Sequence, residues 1–184
     1  SGTTSGSWTS RATSKGTSYT YDFDKFNYDG TSKIIIATGA AAAFTLNTSY
    51  TEDIINATDG GTAPTNPKFV KSFANHMFYG GMSDATSSII FSGSFTEDDF
   101  DTGAGTIKVG DVVTGLKVFR DELYIFCQRK IYKITGTSSS NFALAEVAKN
   151  VGSIAHHSIQ EVGGDLLFLS ADGIRTVAGT SRIG

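Results

Sequence analysis

The chain has 184 residues, of which 39% are hydrophobic and 18% are charged, and its net charge at pH 7 is −3. A chain of this size can bury a hydrophobic core as one domain. Apart from Arg129 and Lys130 the basic residues are scattered. This argues against tight DNA binding, because such binding needs clustered Lys and Arg to neutralise phosphates. No apolar run approaches the length of a transmembrane span.

Residues 1–18 are a run of Ser, Thr and Gly with one aromatic residue, Trp8. Such a composition cannot bury enough surface to offset the entropy lost when its backbone is ordered. We therefore expect a flexible Ser/Thr/Gly-rich segment over residues 1–18. Residues 19–184 are expected to form a propeller-like β domain that is part of a longer polypeptide.

Tyr19 to Tyr28 alternates aromatic residues with acidic or polar ones. Because side chains alternate across a strand, Tyr19 and Phe23 would lie on one face, and Asp22 and Asp24 on the other. The pattern predicts a half-buried edge strand whose aromatic face packs in the core.

Short runs rich in β-branched and aromatic residues then recur at a regular spacing. They are too short for helices and indicate strands. Each unit has a strand, a polar break, a buried strand, a turn and a returning strand, and the units are Phe26–Leu46, Phe69–Phe91, Thr114–Gly136 and His157–Gly179. The central strands start at Ile34, Met77, Leu123 and Leu166, so subtraction of residue numbers gives spacings of 43, 46 and 43. A period of roughly 40 to 50 residues, with one small antiparallel sheet each, is typical of propeller blades.

The clearest unit is Thr114–Gly136, with hairpin loops predicted at 120–122 and 128–130. Its middle strand, Leu123–Phe126, is apolar on both faces and must therefore be covered on both sides. In the last unit the Asp172-Gly173 pair is a strong hairpin signal. The predicted fold class is all-β, with repeated antiparallel three- to four-stranded meanders that are β-propeller-like. A β-sandwich is the alternative.

The connections between units are expected to carry contacts rather than regular structure. Asn47–Lys68 and Ser92–Gly110 are long, and long irregular connections tend to be interaction surfaces. The acidic stretch Asp99-x-Asp101-x-Gly103 has a weak similarity to a calcium loop, but no ordered ligand series follows it, so we interpret it as a solvated loop. Phe142–Lys149 is expected to join two units as an extended segment.

The sequence predicts no catalytic, cofactor-binding or metal-binding residue, and we do not expect an enzyme. His156 and His157 would point to opposite faces of a strand, and neither they nor His76 have further ligands at metal spacing. No nucleophile elbow or phosphate-binding glycine loop is present. Cys127 is the one cysteine, so it has no intrachain disulfide partner, and we interpret it as an apolar filler at the end of a buried strand.

Two strings near the end of the chain show a recurring pattern. GLKVFRDELYIFCQRKIYKITG has a Phe-x-Asp-x-Leu-Tyr-Ile-Phe phrase with a returning Ile-Tyr-x-Ile-x-Gly, and VGSIAHHSIQEVGGDLLFLSADGIRTVAGTSRIG follows it. In the second string, Gly152, Ala155, Ser158 and Ile159 form a Gly-x-x-Ala-x-x-Ser-Ile segment. Together the strings resemble tailed-bacteriophage virion proteins with a β-propeller body: tail-nozzle or tail-tubular proteins, and DNA-stabilisation or head-completion proteins.

This resemblance implies a structural protein of the phage tail or head-to-tail junction. Such a protein would form part of a ring or nozzle through which DNA is retained and delivered. The implied partners are other copies in the ring, neighbouring portal, adaptor or tail proteins, and genomic DNA that passes without specific binding. No membrane partner or cofactor is implied, and the implied location is the virion, after synthesis in the bacterial host cytoplasm.

The alternative function is a carbohydrate- or host-surface-binding β module. It would use exposed aromatic residues, and the candidates are Trp8, Tyr50 and Tyr79. Solvent-exposed aromatic side chains clustered on one loop face would distinguish it from a conduit subunit.

Overall fold

The computed structural model describes residues 19–28, 30–57 and 60–180. These residues form fifteen strands in four antiparallel sheets, and the α-helix among them has four residues. No helix in this part of the chain has the length and apolar character needed to cross a bilayer. The predicted all-β class with repeated three- to four-stranded meanders is confirmed. The segment predicted to be flexible, 1–18, and the last residues of the predicted domain, 181–184, lie outside the described residues.

Each sheet is an up-and-down meander whose strands pair in chain order. Sheet one contains β1 (Asp22–Tyr28), β2 (Thr31–Ala37), β3 (Phe44–Asn47) and β4 (Glu52–Ile54). Sheet two contains β5 (Phe69–Phe73), β6 (His76–Gly80), β7 (Ser88–Phe91) and β8 (Gly105–Lys108). Sheet three contains β9 (Val113–Phe119), β10 (Glu122–Cys127), β11 (Lys130–Thr135) and β12 (Ala143–Lys149). Sheet four, as described, contains β13 (Gln160–Val162), β14 (Asp165–Ser170) and β15 (Gly173–Thr176), with a 3-10 turn (His156–Ser158) before it and α1 (Val177–Thr180) after it.

The fourth strands come from segments that were predicted to be connections. β4 lies in the Asn47–Lys68 linker, β8 in the Ser92–Gly110 linker, and β12 fills most of the extended segment before the last unit. Each pairs along the third strand of its sheet, and β12 is therefore a sheet strand rather than a simple link. A short, exposed edge strand carries little hydrophobic alternation, and this is why the pattern missed β4 and β8.

Hydrophobic clusters join consecutive sheets in chain order. Sheets one and two share a cluster that contains Ile35 and Met77, sheets two and three one that contains Phe78 and Leu123, and sheets three and four one that contains Phe126 and Phe168. The rings of Phe126 and Phe168 lie 5.2 Å apart. Strand β10 sends alternate side chains into two different clusters, so the prediction that Leu123–Phe126 is covered on both sides is confirmed.

The first strand of each sheet packs against the start of the next sheet. β1 contacts β5, β5 contacts β9, and β9 contacts the 3-10 turn that leads into β13. This serial packing follows the chain order of the sheets. It brings the beginnings of all four sheets to one place.

The alternation predicted for β1 is present, but the predicted burial is wrong. Phe23 is 65% exposed and Tyr19 is 50% exposed, whereas Asp22 is only 7% exposed. The acidic face points inward because β5 is the first strand of its sheet and has amides without a strand partner on that side. The Asp22 and Asp24 carboxylates accept hydrogen bonds from two of those amides, with N–O distances of 3.0 and 2.7 Å. Each of these amides, if buried without a partner, would cost about 1–3 kcal/mol.

Candidate functional site where the four sheets meet

A pocket of about 610 Å³ opens where the starts of the sheets come together. This volume lies within the usual range for small-molecule sites. Its lining comes from sheets one to three, the segments next to them and the turn before sheet four, and includes Tyr19, Asp22, Lys68, Phe69, Thr114, Gln128, Ile154, His156 and His157.

The central feature of the pocket wall is the contact between Asp22 and His156. The Oδ1 atom of Asp22 lies 3.1 Å from Nε2 of His156, and its Oδ2 atom accepts the amide of Val70 at 3.0 Å. Burial raises the pKa of the Asp22 carboxyl, but the hydrogen bond and charge of His156, the Val70 amide and the charge of Lys71 outweigh burial and hold the pKa below 3.8. The carboxylate is therefore ionised at neutral pH.

His156 is positioned by a turn that its neighbours stabilise. The Ser158 hydroxyl donates to the carbonyl of Ala155 at 2.6 Å and accepts the amide of Leu169 at 3.0 Å, which joins the turn to β14. Ile159 is buried, and it lies against Gly115 of β9 together with His156. A Cβ atom at Gly115 would lie 2.6 Å from Cδ1 of Ile159 and 2.8 Å from Nδ1 of His156, so a larger residue here would displace both side chains.

The segment that leads to His156 begins with a second close contact, between Gly152 and the backbone of β10. A Cβ atom at Gly152 would lie 1.9 Å from the carbonyl oxygen of Cys127, and the next amide, of Ser153, donates to that carbonyl at 3.0 Å. The chain thus passes directly over the end of β10. Gly152, Ala155, Ser158 and Ile159, which carry the sequence resemblance, are the residues that set this path.

The imidazole of His156 is enclosed by rings and has one unpartnered nitrogen. Phe69 lies 4.7 Å and His157 5.1 Å from it between ring centroids. His156 Nδ1 and the hydroxyl of Thr114 are buried without hydrogen-bond partners in the described part of the chain. The expectation that His156 and His157 lie in a strand is wrong, because the 3-10 turn places their rings side by side.

The contacts of the Asp22–His156 pair can be compared with those of metal and catalytic sites. Within residues 19–28, 30–57 and 60–180 no group of three or more His, Cys, Asp or Glu residues could hold a metal ion. His156 and Asp22 resemble the histidine base of a catalytic triad and the carboxylate that orients it. Among the described residues, however, no serine, threonine or cysteine is hydrogen-bonded to His156 Nδ1. The Asp22–His156 pair links sheet one to the turn before sheet four and forms a polar part of the pocket wall.

The other residues that the sequence offered as candidates have ordinary structural roles, beginning with His76 and the acidic loop. His76 is buried, and its Nδ1 lies 2.7 Å from the carbonyl oxygen of Ser92. Asp99 Oδ1 accepts the amides of Asp101 and Thr102 at 2.9 and 3.3 Å, so its carboxylate stabilises a turn. Burial raises the pKa of the Cys127 thiol to about 12, with the charge of Asp111 adding to the effect.

Among the aromatic residues considered for surface recognition, Tyr79 is fully buried and donates its hydroxyl to the carbonyl of Glu97 at 2.7 Å. Its assignment as an exposed recognition residue is therefore wrong. Tyr50 is 59% exposed, and Trp8 lies outside the described residues. Sequence reasoning missed the Asp22–His156 pair because no local pattern relates residues on β1 to a turn before β13.

No protein-family model matches the chain, and no curated protein matches it.

Proposed function

We propose that this chain is a structural virion protein of a phage tail or head-to-tail junction. In this role it forms part of a ring or nozzle through which DNA is retained and delivered. Its partners are further copies of itself and the neighbouring portal, adaptor or tail proteins, and its location is the virion. It has no catalytic role.

One observation carries the proposal. The two strings that resemble phage propeller proteins fold as parts of consecutive meander sheets, β9–β11 and β13–β15, with the same strand order in each. The glycine-containing segment at the start of the second string contacts the end of β10 through the Ser153 amide and β14 through the Ser158 hydroxyl. The resemblance therefore covers three of the four strands of sheet three and the described strands of sheet four, which share a core, rather than scattered residues.

The charge of the chain supports passage of DNA without binding. The net charge is −3 and the basic residues are scattered along the sequence, whereas binding to a row of phosphates needs clustered cations. A duplex then slides past such a surface without being held. Several basic side chains are also already paired, including Lys33 with Glu97, Lys133 with Glu122 and Arg175 with Asp172.

The test is electron imaging, in vitreous ice, of native material that is purified with this chain. We expect the chain to repeat about an axis in a ring or tail-tube density, around a passage wide enough for a DNA duplex. Isolated chains outside any particle would contradict the proposal.

A second candidate function is a carbohydrate- or host-surface-binding module, and the pocket favours it. Half-exposed Tyr19 at the pocket wall offers a ring for stacking, and Gln128 offers an amide for hydrogen bonds to hydroxyl groups. This function predicts saturable glycan binding that Tyr19→Ala abolishes and Tyr50→Ala leaves unchanged, because Tyr50 does not line the pocket. A glycan array with both variants distinguishes the two candidates.

A further inference from the structure

The pocket where the sheets meet carries one acidic side chain, and its two carboxylate oxygens already have partners. Among the residues that line the pocket, Asp22 is the one Asp or Glu. Its Oδ1 atom lies 3.1 Å from Nε2 of His156, and its Oδ2 atom accepts the amide of Val70 at 3.0 Å. The residue is only 7% exposed. The negative charge of the wall is therefore held inside the protein rather than presented to a ligand.

The one lysine of the wall, Lys68, is held in place but has no ion-pair partner. Its side chain lies across Gly39, because a Cβ atom at Gly39 would lie 2.6 Å from Cγ and 3.4 Å from Cε of Lys68. The Gly39 amide donates to the carbonyl of Pro67 at 2.8 Å, and the Lys68 amide donates to the carbonyl of Gly80 at 3.0 Å. Lys68 is exposed, and no Asp or Glu in the described part of the chain is paired with it. Its ammonium group is thus available to an anionic ligand.

Three further side chains at the wall offer a ring and hydrogen-bonding groups. Tyr19 is 50% exposed and presents its ring for stacking. Gln128 and His157 are exposed, and the side chain of neither makes a hydrogen bond to another described residue. An amide and an imidazole can each donate and accept hydrogen bonds, which suits the hydroxyl groups of a sugar.

We propose that this pocket binds a sugar that carries one carboxylate, with the carboxylate on Lys68 and the sugar ring against Tyr19. One ammonium group balances one carboxylate. A phosphate monoester carries a charge of about −1.5 to −2 at pH 7 and would leave excess negative charge in a pocket that already contains the ionised Asp22. The inference deepens the second candidate function, on which it rests for the sugar ring, and it is independent of the virion role.

The experiment is an NMR titration of the isotope-labelled chain with glucuronate, glucose and glucose 6-phosphate. We expect glucuronate to shift the amide signals of pocket residues, for example those of Thr20, Phe69 and His157. It should bind at least about threefold more tightly than either of the other sugars, which is the size of effect that an exposed ion pair supplies. Salt at about 0.5 M should weaken the binding of glucuronate and leave that of glucose unchanged, because salt screens the charge of Lys68.

Substitutions of Lys68 test whether its charge sets the preference. Lys68→Gln should remove the preference for glucuronate over glucose, whereas Lys68→Arg should retain it. Both variants are expected to fold, since Lys68 is exposed. Lys108→Gln is the matched control, because Lys108 is also an exposed lysine but does not line this pocket.

Four results would overturn the proposal: no binding of glucuronate, equal affinity for glucose and glucuronate, tighter binding of glucose 6-phosphate, or equal effects of Lys68→Gln and Lys108→Gln. Signal shifts confined to residues outside the pocket would overturn it too. If a glycan on the array depends on Tyr19 but not on Lys68, the second candidate function stands and this inference fails. The two failures are therefore distinguishable, and neither bears on the imaging of native material.

Discussion

Asp22 of β1 and His156 of the 3-10 turn join the first and last described sheets through a contact of 3.1 Å between Oδ1 and Nε2. The other carboxylate oxygen holds the Val70 amide of sheet two. One buried side chain thus connects three sheets at the point where the pocket opens. Substitution of Asp22 should therefore destabilise the region where these sheets meet.

Replacement of Asp22 by alanine should lower the free energy of unfolding by about 2 kcal/mol, because it leaves the Val70 amide and the His156 ring without their partner in a buried site. Urea denaturation followed by circular dichroism measures the change. Asp53→Ala is the control, since Asp53 is exposed on β4 and its loss should change stability by less than about 0.5 kcal/mol. Equal effects of the two substitutions would contradict the role of Asp22.

The lowered pKa of Asp22 predicts the pH dependence of stability. Because the pKa in the folded chain lies below 3.8, the ionised carboxylate stabilises the fold fully above the pKa of the unfolded chain. That stabilisation is lost as the pH falls through the folded pKa. Unfolding free energies measured from about pH 5 down to about pH 2 should therefore fall more steeply for wild type than for Asp22→Asn. Parallel profiles would show that the carboxylate has the same pKa in both states.

Gly152→Ala should destabilise the chain by at least about 3 kcal/mol, or prevent folding, because the new methyl group would overlap the carbonyl of Cys127. Gly152 and the Cys127 carbonyl belong to two backbone segments that the Ser153 hydrogen bond holds together. Gly163→Asn is a suitable control, since Gly163 has open space around it and Asn tolerates its φ of 61°. Thermal unfolding that is equal for the two variants would refute the close approach.

Cys127 should be almost unreactive in the folded chain. Burial raises its pKa to about 12, so the thiolate, which is the reactive form, is scarce at pH 8. We expect a disulfide reagent to label the native thiol roughly a thousandfold more slowly than the unfolded chain, where one thiol per chain should react. The unfolded sample in denaturant is the internal control. A native rate within about tenfold of it would contradict the buried setting.

Much of the fold follows from local pattern alone. Runs such as Leu123–Phe126 and Ile34–Ile36 are short and rich in β-branched or aromatic residues, which indicates strands, and the Asp172-Gly173 turn determines its hairpin by backbone preference. The regular spacing of the runs predicted four meanders. These properties depend on residues that are close in sequence, so the sequence by itself was enough to find them.

The tertiary structure decided everything that depends on which surfaces meet. The sequence showed that aromatic and acidic residues alternate in β1. The amides of β5 that face β1 explain why Asp22 is buried and Phe23 is exposed. Residues Gly105–Lys108 are a strand, β8, because they pair with β7. The path of the chain at Gly152 places His156 next to Asp22. The exposure of Ile174 and the burial of Leu166 could not be recognised from sequence, because both side chains have the same hydrophobic character. Burial is a property of the neighbours that the fold supplies, and sequence pattern alone does not contain it.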